Sequence, residues 1–281
     1  MTAAEPRSAD LASPTIARAL ELLAGRTIAA LTGAGLSTDS GIPDYRGAGS
    51  PRRTPMTFQE FVSDESRRRR YWVGSHLGWR AFSATRPNAG HHALASLEDA
   101  GVVTGLVTQN VDGLHLQAGS RHVVELHGDT RGVTCLACGT RVPREEVASR
   151  LERDNPALAL PDAVALGPDG DVLPEAWADV TVPDCTACGG ILKPDVVFFG
   201  ELVPAARTRA AERIVDVADA LLVAGSSLAV NSGLRLVERA HRRGASIVIV
   251  NRGATKGDRR ADVTIDAGTT ETLTALASAL T

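Results

Sequence analysis

Two Cys-x-x-Cys-Gly pairs contain all four cysteines of this 281-residue chain. The first pair is Cys135 and Cys138, and the second is Cys185 and Cys188. Two sulfurs at this spacing can bind one tetrahedral metal ion, and the following glycine allows a tight turn around the thiolates. The pairs therefore predict a four-cysteine site for one Zn²⁺ ion. Because four thiolates leave no open position for water, we expect this zinc to be structural.

The spacing between the two pairs is unusually long for such a site. Between Cys138 and Cys185 lie 46 residues, whereas a compact zinc ribbon has about 15–20, so the metal would close a large loop. Two disulfides are the alternative, but nothing else in the sequence suggests secretion. No cysteine remains to act as a nucleophile, so the chemistry of the chain must lie elsewhere.

A glycine turn follows the first predicted strand, residues 27–32. Gly33 and Gly35 stand where a strand passes into a helix, and such glycines let the backbone approach a pyrophosphate. Alone, this pattern is weak evidence for a dinucleotide, because Gly-x-Gly turns often only connect elements and Thr38 replaces the third glycine of the fingerprint.

Polar residues also follow the later predicted strands, at 102–107, 123–126, 220–224 and 247–250, with a weaker one at 263–265. Ligands of open α/β sheets bind at the carboxyl ends of the strands. For His115 we favour strand-end capping through bonds to the backbone, whereas for His127 we favour a role in the site, because imidazole accepts a proton near neutral pH. The polar residues at these strand ends are Gln109, Asn110, Asp112, His127, Gly225, Ser226, Ser227 and Asn251.

Helical patterns at residues 15–24, 88–100 and 205–217 alternate with these strands. The alternation predicts a parallel sheet with helices on both faces. Residues 45–86 interrupt it as a small helical module, and residues 128–195 interrupt it as the zinc module, with an irregular insertion at 155–184. The basic run Arg67 to Arg70 could bind phosphate, but we favour a solvated helix face.

Composition excludes several classes of function. The net charge of −3 argues against a partner that is nucleic acid or an anionic membrane, and no apolar run reaches the length of a membrane span. The N-terminus resembles no targeting peptide. With two lysines against 28 arginines, we expect a cytoplasmic protein from a bacterium, and we favour a monomer.

Several segments, in order, resemble the sirtuin family of NAD-dependent protein-lysine deacylases. The resemblance runs from about residue 15 to 270, and residues 43–46 (PDYR) and 70–79 (RYWVGSHLGW) are most similar to its class II, sirtuin-4-like branch. The segments that carry the resemblance are residues 33–46, 108–112, 127–129, 196–201 and 225–228, together with the two cysteine pairs.

The resemblance implies a Rossmann-type large domain and a small domain, with NAD and an acylated lysine meeting in the cleft between them. The large domain would comprise residues 1–44, 87–127 and 196–281. The small domain would comprise a cofactor-loop and helical module at 45–86 and the zinc-binding module at 128–195.

Roles for individual residues also come from the resemblance. It places the first glycine turn at the pyrophosphate, residues 44–46 in a mobile loop over NAD, residues 109–112 around the nicotinamide and its ribose, and the later strand ends at the adenosine. The implied NAD contacts are Gly33, Ala34, Gly35, Thr38, Asp44, Tyr45, Arg46, Gln109, Asn110, Asp112, Gly225, Ser226, Ser227, Asn251, Arg252 and Gly253. Val196, Val197, Phe198, Gly200 and Glu201 match a strand that binds the substrate peptide by β-augmentation.

The implied reaction consumes NAD and transfers the acyl group of an acylated-lysine protein or peptide to ADP-ribose, with release of nicotinamide. His127 would be the catalytic base, with Asn110 and Asp112 beside it, and Asp112 would anchor the leaving carboxamide. Protein mono-ADP-ribosyl transfer is a second hypothesis. A non-catalytic module that binds NAD, zinc or nucleic acid is a third, although such a module needs no base beside the nicotinamide.

The chain departs from the family pattern at three places. Position 45 is Tyr where many members have Phe. The Tyr-x-x-Arg selector of succinyl-type substrates is replaced by Arg70 and Val73, which weakly disfavours acidic acyl groups, since nearby arginines could compensate. The long insertion between the cysteine pairs is the third departure, and its role is not evident from the sequence.

Overall fold

The computed structural model describes residues 13–47, 54–158 and 164–281. Most of its strands belong to one sheet, and the predicted strands lie within a residue of their observed bounds. The strands are β1 (Ile28–Thr32), β2 (Val103–Thr108), β3 (Val123–Glu125), β4 (Gly128–Cys135), β5 (Arg141–Pro143), β6 (Leu192–Val196), β7 (Ala220–Ala224), β8 (Ser246–Val250) and β9 (Val263–Ile265).

Helices connect these strands, and the three predicted from periodicity are confirmed. Within the described ranges, no helix is long and apolar enough to cross a membrane. The α-helices are α1 (Pro14–Leu23), α2 (Phe58–Ser63), α3 (Glu65–Ser83), α4 (Ala89–Asp99), α5 (Leu114–Gln117), α6 (Arg144–Asp154), α7 (Ala205–Asp216), α8 (Asn231–Arg242) and α9 (Thr269–Leu280).

The large sheet is parallel throughout, in the order β3-β2-β1-β7-β8-β9. Its central strand β1 is completely buried, and alternate residues face opposite layers. Ala30 packs with helices α1, α4 and α9, whereas Ala29 and Leu31 pack with α7 and α8. The predicted parallel sheet covered on both faces is therefore confirmed.

A second, antiparallel sheet in the order β5-β4-β6 carries the first cysteine pair at one end. It packs against α3 through an apolar cluster that includes Phe61, Trp72 and the buried Cys135 and Cys185. The zinc module and the helical module thus share one core, so the metal site and that core depend on each other.

Residues 197–201 do not continue strand β6, which corrects the expectation from the resemblance that 196–201 form a strand. Strand β6 ends at Val196, and the chain then turns back. The buried Lys193 Nζ donates to the Val196 carbonyl at 2.6 Å and to the Glu201 carboxylate at 3.1 Å. That carboxylate also accepts from the Phe198 N–H at 2.9 Å. The resemblance implied an extended strand here, but this charge-assisted network folds the segment into a loop.

The arginine run on α3 is also different from the expected solvated face. Arg68 to Arg70 are half-buried, and their partners belong to the protein. Arg68 donates to the Phe61 carbonyl at 2.9 Å, Arg69 pairs with Glu65 at 2.6 Å, and Arg70 lies 5.3 Å from the ring centre of Trp177. These arginines therefore fasten α3 to its neighbours.

The predicted irregular insertion, residues 155–184, has no helix or strand in its described residues, as expected. Its residues 164–174, which we call the strap, lie across α3. The Val172 N–H donates to the Gly74 carbonyl at 3.0 Å. A Cβ on Gly78 would lie 1.9 Å from the Gly170 carbonyl oxygen, and one on Gly74 would lie 2.3 Å from that of Val172. The two glycines are needed because backbone passes directly over them.

Gly78→Ala should therefore destabilise the protein although alanine is the better helix former. Helix propensity favours alanine by about 1 kcal/mol, but a clash with backbone costs typically about 1–3 kcal/mol. We expect a net loss of up to about 2 kcal/mol in the free energy of unfolding, measured by urea denaturation. Ser66→Ala, at an exposed position of the same helix, is the control and should change little. A stabilised Gly78→Ala protein would mean that the strap does not lie on α3.

Candidate active site

The register of the large sheet brings the predicted polar residues to one edge. Thr32 is paired with both Thr108 and Ala224, and Ala224 is paired with Val250. The residues that follow these strands therefore lie side by side, at the carboxyl edge where open sheets bind ligands. A cleft of about 1930 Å³ opens along this edge. It exceeds the volume of about 300–1000 Å³ of a small-molecule pocket, which leaves room for a dinucleotide and a peptide segment.

Nearly all the predicted site residues line this cleft. Those that do are Gly33, Ala34, Gly35, Thr38, Asp44, Tyr45, Arg46, Gln109, Asn110, His127, Val196, Val197, Phe198, Gly200, Glu201, Gly225, Ser226, Ser227, Asn251, Arg252 and Gly253. Asp112 is the exception, because it lies behind the lining.

His127 stands between β3 and β4, where the chain passes from the large sheet to the small one. Its Nδ1 lies 3.0 Å from the Gln109 carbonyl oxygen. A carbonyl can only accept, so Nδ1 carries the proton and Nε2 presents its lone pair. Burial holds the pKa of His127 below its ordinary value; the Gln109 bond opposes this shift, and the charge of Arg207 adds to it. His127 is therefore a neutral imidazole at pH 7, able to accept a proton at Nε2.

Asn110 and Asp112 are joined through Ser37. The Asn110 amide donates to the Gly33 carbonyl at 3.2 Å and to Ser37 Oγ at 3.0 Å. Ser37 in turn donates to the Asp112 carboxylate at 2.7 Å, whose other oxygen accepts from the Leu114 N–H at 2.9 Å. Burial raises the pKa of Asp112. In this arrangement Asp112 orients Ser37 and Asn110 from behind the cleft.

His115 is buried away from the cleft. Its Nε2 lies 2.8 Å from Thr32 Oγ1, so its partner is a side chain and not the backbone expected for capping. Burial lowers its pKa well below the ordinary value. His115 therefore supports the ends of β1 and β2.

The glycines of the first turn are also required by close packing inside the protein. A Cβ on Gly33 would lie 2.8 Å from the Gly225 carbonyl oxygen, and one on Gly35 would lie 3.0 Å from the same atom. The two turns after β1 and β7 thus touch each other. Across the described residues, the backbone N–H groups of Ala34, Ser226 and Ser227 donate to no protein acceptor. Free donors on adjoining turns suit the phosphates of a dinucleotide.

The strap also reaches this cleft. Asp169 accepts a hydrogen bond from the Tyr45 hydroxyl of the predicted cofactor loop. Burial raises the pKa of Asp169 to about 6, and burial followed by the Asp169 charge raises the pKa of Tyr45. The insertion whose role was not evident from the sequence therefore supplies part of the cleft wall and holds the loop.

The four cysteine sulfurs form one cluster in which each Sγ is within 4.8 Å of the others. The sulfurs of Cys135 and Cys188 are 3.6 Å apart, and those of Cys138 and Cys185 are 3.7 Å apart. Around a tetrahedral zinc with Zn–S bonds of about 2.3 Å, neighbouring sulfurs are about 3.8 Å apart, whereas a disulfide needs about 2.05 Å. The cluster fits one zinc ion held by both pairs, and the disulfide alternative is wrong.

Three residues of the site were not predicted from the sequence. Ser232 lies 2.8 Å from His127 Nε2, Ser37 joins Asn110 to Asp112, and Asp169 holds Tyr45. Ser37 belongs to the segment 33–46 that carried the resemblance, so the sequence did contain an indication that it lies in the site. Ser232 and Asp169 stand in no motif, and only the fold brings them to the cleft.

Comparisons with known proteins agree with this arrangement. Residues 33–232 match the model of the Sir2 family. An NAD-dependent protein deacetylase 1 of Mycobacterium avium is 53% identical over 263 residues, 92% of this chain and 93% of that protein. One of Streptomyces coelicolor is 54% identical over 235 residues, 82% of this chain and 78% of its own.

Solved structures match at similar coverage. One, described as Sir2 bound to acetylated peptide, has a TM-score of 0.75 and 30% identity over 92% of this chain and 95% of its own. Another, a Sir2–p53 peptide–NAD+ complex, has a TM-score of 0.74 and 31% identity over 91% and 94% of the two chains.

Proposed function

Because this chain belongs to the Sir2 family, we propose that it is an NAD-dependent protein deacetylase with His127 as its catalytic base. The observation that carries the assignment is the neutral imidazole in the cleft, whose Nδ1 proton is directed to Gln109. The relatives from Mycobacterium avium and Streptomyces coelicolor support the NAD-dependent deacetylase activity. On the similarity of residues 43–46 and 70–79, we assign it to the class II, sirtuin-4-like branch, acting in the cytoplasm of a bacterium.

When bound, NAD supplies a ribose carbon that becomes open to attack as nicotinamide leaves. The residues of this chain bind and orient it. The free N–H groups of Ala34, Ser226 and Ser227 would hold its phosphates. Asn110, fixed by Gly33 and Ser37, would position the ribose end beside His127. The base takes a proton from a ribose hydroxyl, and the acyl group ends on ADP-ribose, so the enzyme is an acyltransferase and not a simple hydrolase.

Residues 197–201 are the proposed binding segment for the substrate peptide. Several of their backbone groups are already engaged within the protein. The Val197 N–H donates to the His127 carbonyl at 2.8 Å, and the Phe199 carbonyl accepts from the Phe58 N–H at 2.9 Å. The Phe198 N–H donates to the Glu201 carboxylate at 2.9 Å, and the Phe198 carbonyl accepts from the Glu201 N–H at 3.0 Å. The segment is thereby held beside His127 on one side and α2 on the other. Its remaining backbone groups are available for an extended peptide that carries the acylated lysine.

The two residues at the selector positions, Arg70 and Val73, favour an uncharged acyl group. Val73 is completely buried, and Arg70 is stacked on Trp177, so neither is poised to bind a carboxylate. The strap adds the Asp169 carboxyl to the lining of the same cleft. A second carboxylate placed there would be repelled. We therefore propose acetyl or another neutral acyl-lysine as substrate.

The test is nicotinamide release with matched peptides that carry acetyl-, longer aliphatic, lipoyl- or succinyl-lysine, with product masses measured in parallel. We expect release that requires an acyl peptide, O-acyl-ADP-ribose as product, and succinyl turnover at least about tenfold below the best neutral group. Release without peptide and with mass added to protein would replace the proposal by ADP-ribosyl transfer. No release from folded, zinc-loaded protein would refute the activity.

The pH dependence of kcat/KM should follow the titration of His127. The base works only when Nε2 is unprotonated, so activity is present above its pKa in the folded enzyme and is lost as pH falls through it. Burial and Arg207 lower this pKa below the ordinary 6.5, so we expect an acid limb below pH 6.5. Arg207→Gln should move the limb to higher pH. Arg213→Gln, an exposed position on the same helix, should leave it in place, and an unmoved limb in both variants would contradict the assignment.

A further inference from the structure

The lone pair of the catalytic base is already occupied by a protein hydroxyl. Ser232 Oγ lies 2.8 Å from His127 Nε2. Because Nδ1 donates to the Gln109 carbonyl at 3.0 Å, Nε2 has no proton and must be the acceptor, so Ser232 is the donor. A substrate hydroxyl that approached Nε2 directly would have to displace this bond.

Ser232 is held where it is by the same elements that orient the imidazole. It is the second residue of α8 and lines the cleft half-buried. The next residue, Gly233, is packed so closely that a Cβ on it would lie 2.9 Å from the Gln109 side-chain amide. Gln109 therefore sets the imidazole through its carbonyl and contacts the first turn of α8 through its side chain. A shift of the first turn of α8 would therefore change the contact with the Gln109 side chain and, through Gln109, the position of the imidazole.

We propose that Ser232 relays the proton from the substrate hydroxyl to His127, an inference that rests on the proposed function. The Ser232 oxygen accepts the proton of the ribose hydroxyl while its own proton passes to Nε2. The hydroxyl O–H bond breaks and its oxygen keeps the electron pair for attack on the acyl carbon. The serine ends unchanged, and the imidazolium lies between Gln109 and Ser232. A serine hydroxyl can do this because it has one donor and two acceptor lone pairs.

Ser232→Ala tests the relay in single-turnover measurements of acyl transfer with the full-length, zinc-loaded protein. We expect a rate at least about tenfold lower, with NAD and peptide affinities within about threefold of wild type. Ser232→Thr, which keeps a hydroxyl, should recover most of the rate. The rate plotted against the deuterium fraction of the solvent should be curved for wild type, since two protons move, and linear for Ser232→Ala.

The acid limb of the pH profile provides a readout that a merely structural residue would not change. A hydroxyl that donates to Nε2 favours the neutral imidazole, so its removal should move the limb to higher pH. Arg242→Ala, at an exposed position at the other end of α8, controls for disturbance of the helix and should move neither rate nor limb. Thermal melts would verify that each variant is folded.

The possible outcomes distinguish a failure of the relay from a failure of the proposed function. If Ser232→Ala is as fast as wild type or faster, or if its deuterium plot stays curved, Ser232 only covers the lone pair and the relay is refuted. If wild type shows no NAD-dependent deacetylation, the proposed function fails first. Activity that depends on His127 but not on Ser232 removes the relay alone.

Discussion

His127→Ala will lower the rate of deacetylation by about 10²–10⁴-fold, while NAD affinity stays within a few-fold of wild type. The imidazole is the one neutral base placed by the described residues between the NAD edge and the peptide segment. Its contacts with the protein are a backbone carbonyl and Ser232, so its loss removes proton transfer and leaves the phosphate-binding turns intact. Acyl transfer is measured by product mass, and NAD affinity by calorimetry.

His92→Ala is the matched control for this variant. His92 is exposed on α4, far along the chain from the strand end that carries His127, and its replacement should leave the rate near wild type. Turnover of His127→Ala at the wild-type rate would remove the assignment of the base. Loss of NAD binding along with the rate would mean that His127 holds the cofactor and not only the proton.

Removal of zinc will unfold the three-stranded sheet and the helices packed against it, and will abolish activity. The ion would hold together segments separated by 46 residues of chain, and the two buried cysteines belong to the same core as Phe61 and Trp72. Structural zinc contributes about 10–16 kcal/mol of apparent binding free energy in small zinc domains. Chelation, or Cys185→Ser, should lower the melting temperature by more than about 10 °C, with one zinc per chain found before chelation.

Adding zinc back to the chelated protein tests whether the loss of stability comes from the loss of the metal. Added zinc should restore the melting temperature and the activity of the chelated wild type, but not those of Cys185→Ser. Leu136→Ala, at an exposed position inside the first cysteine pair, should keep both. A chelated chain with unchanged melting temperature and lost metal would show that the sulfurs do not hold this region together.

The local spacing of hydrophobic residues was sufficient to predict the strands of the parallel sheet and three of its helices. Buried strands bounded by glycine and helices of period 3.6 were recognised because hydrophobic spacing within ten residues reflects which face is covered. The segment 196–201 is the instructive failure. The resemblance implied a strand there, but Lys193, which lies before the segment, and Glu201, at its end, close it into a loop. The residues of the segment alone do not show this ion pair, because Lys193 lies outside the segment.

The parallel sheet, the four-cysteine cluster and the position of His127 at the end of a strand could be predicted from the sequence, because motif spacing and strand ends depend on neighbours in the chain. Most of the other residues expected along the cleft came from the resemblance to a known family. Which distant groups meet in the cleft could not. Ser232 is 105 residues from His127, and Asp169 is 124 residues from Tyr45. Such contacts arise only when parallel strands in register bring separate turns to one edge and the strap crosses the glycines of α3. Their energies depend on distances of a few ångströms, which are fixed by packing in three dimensions and not by proximity along the chain.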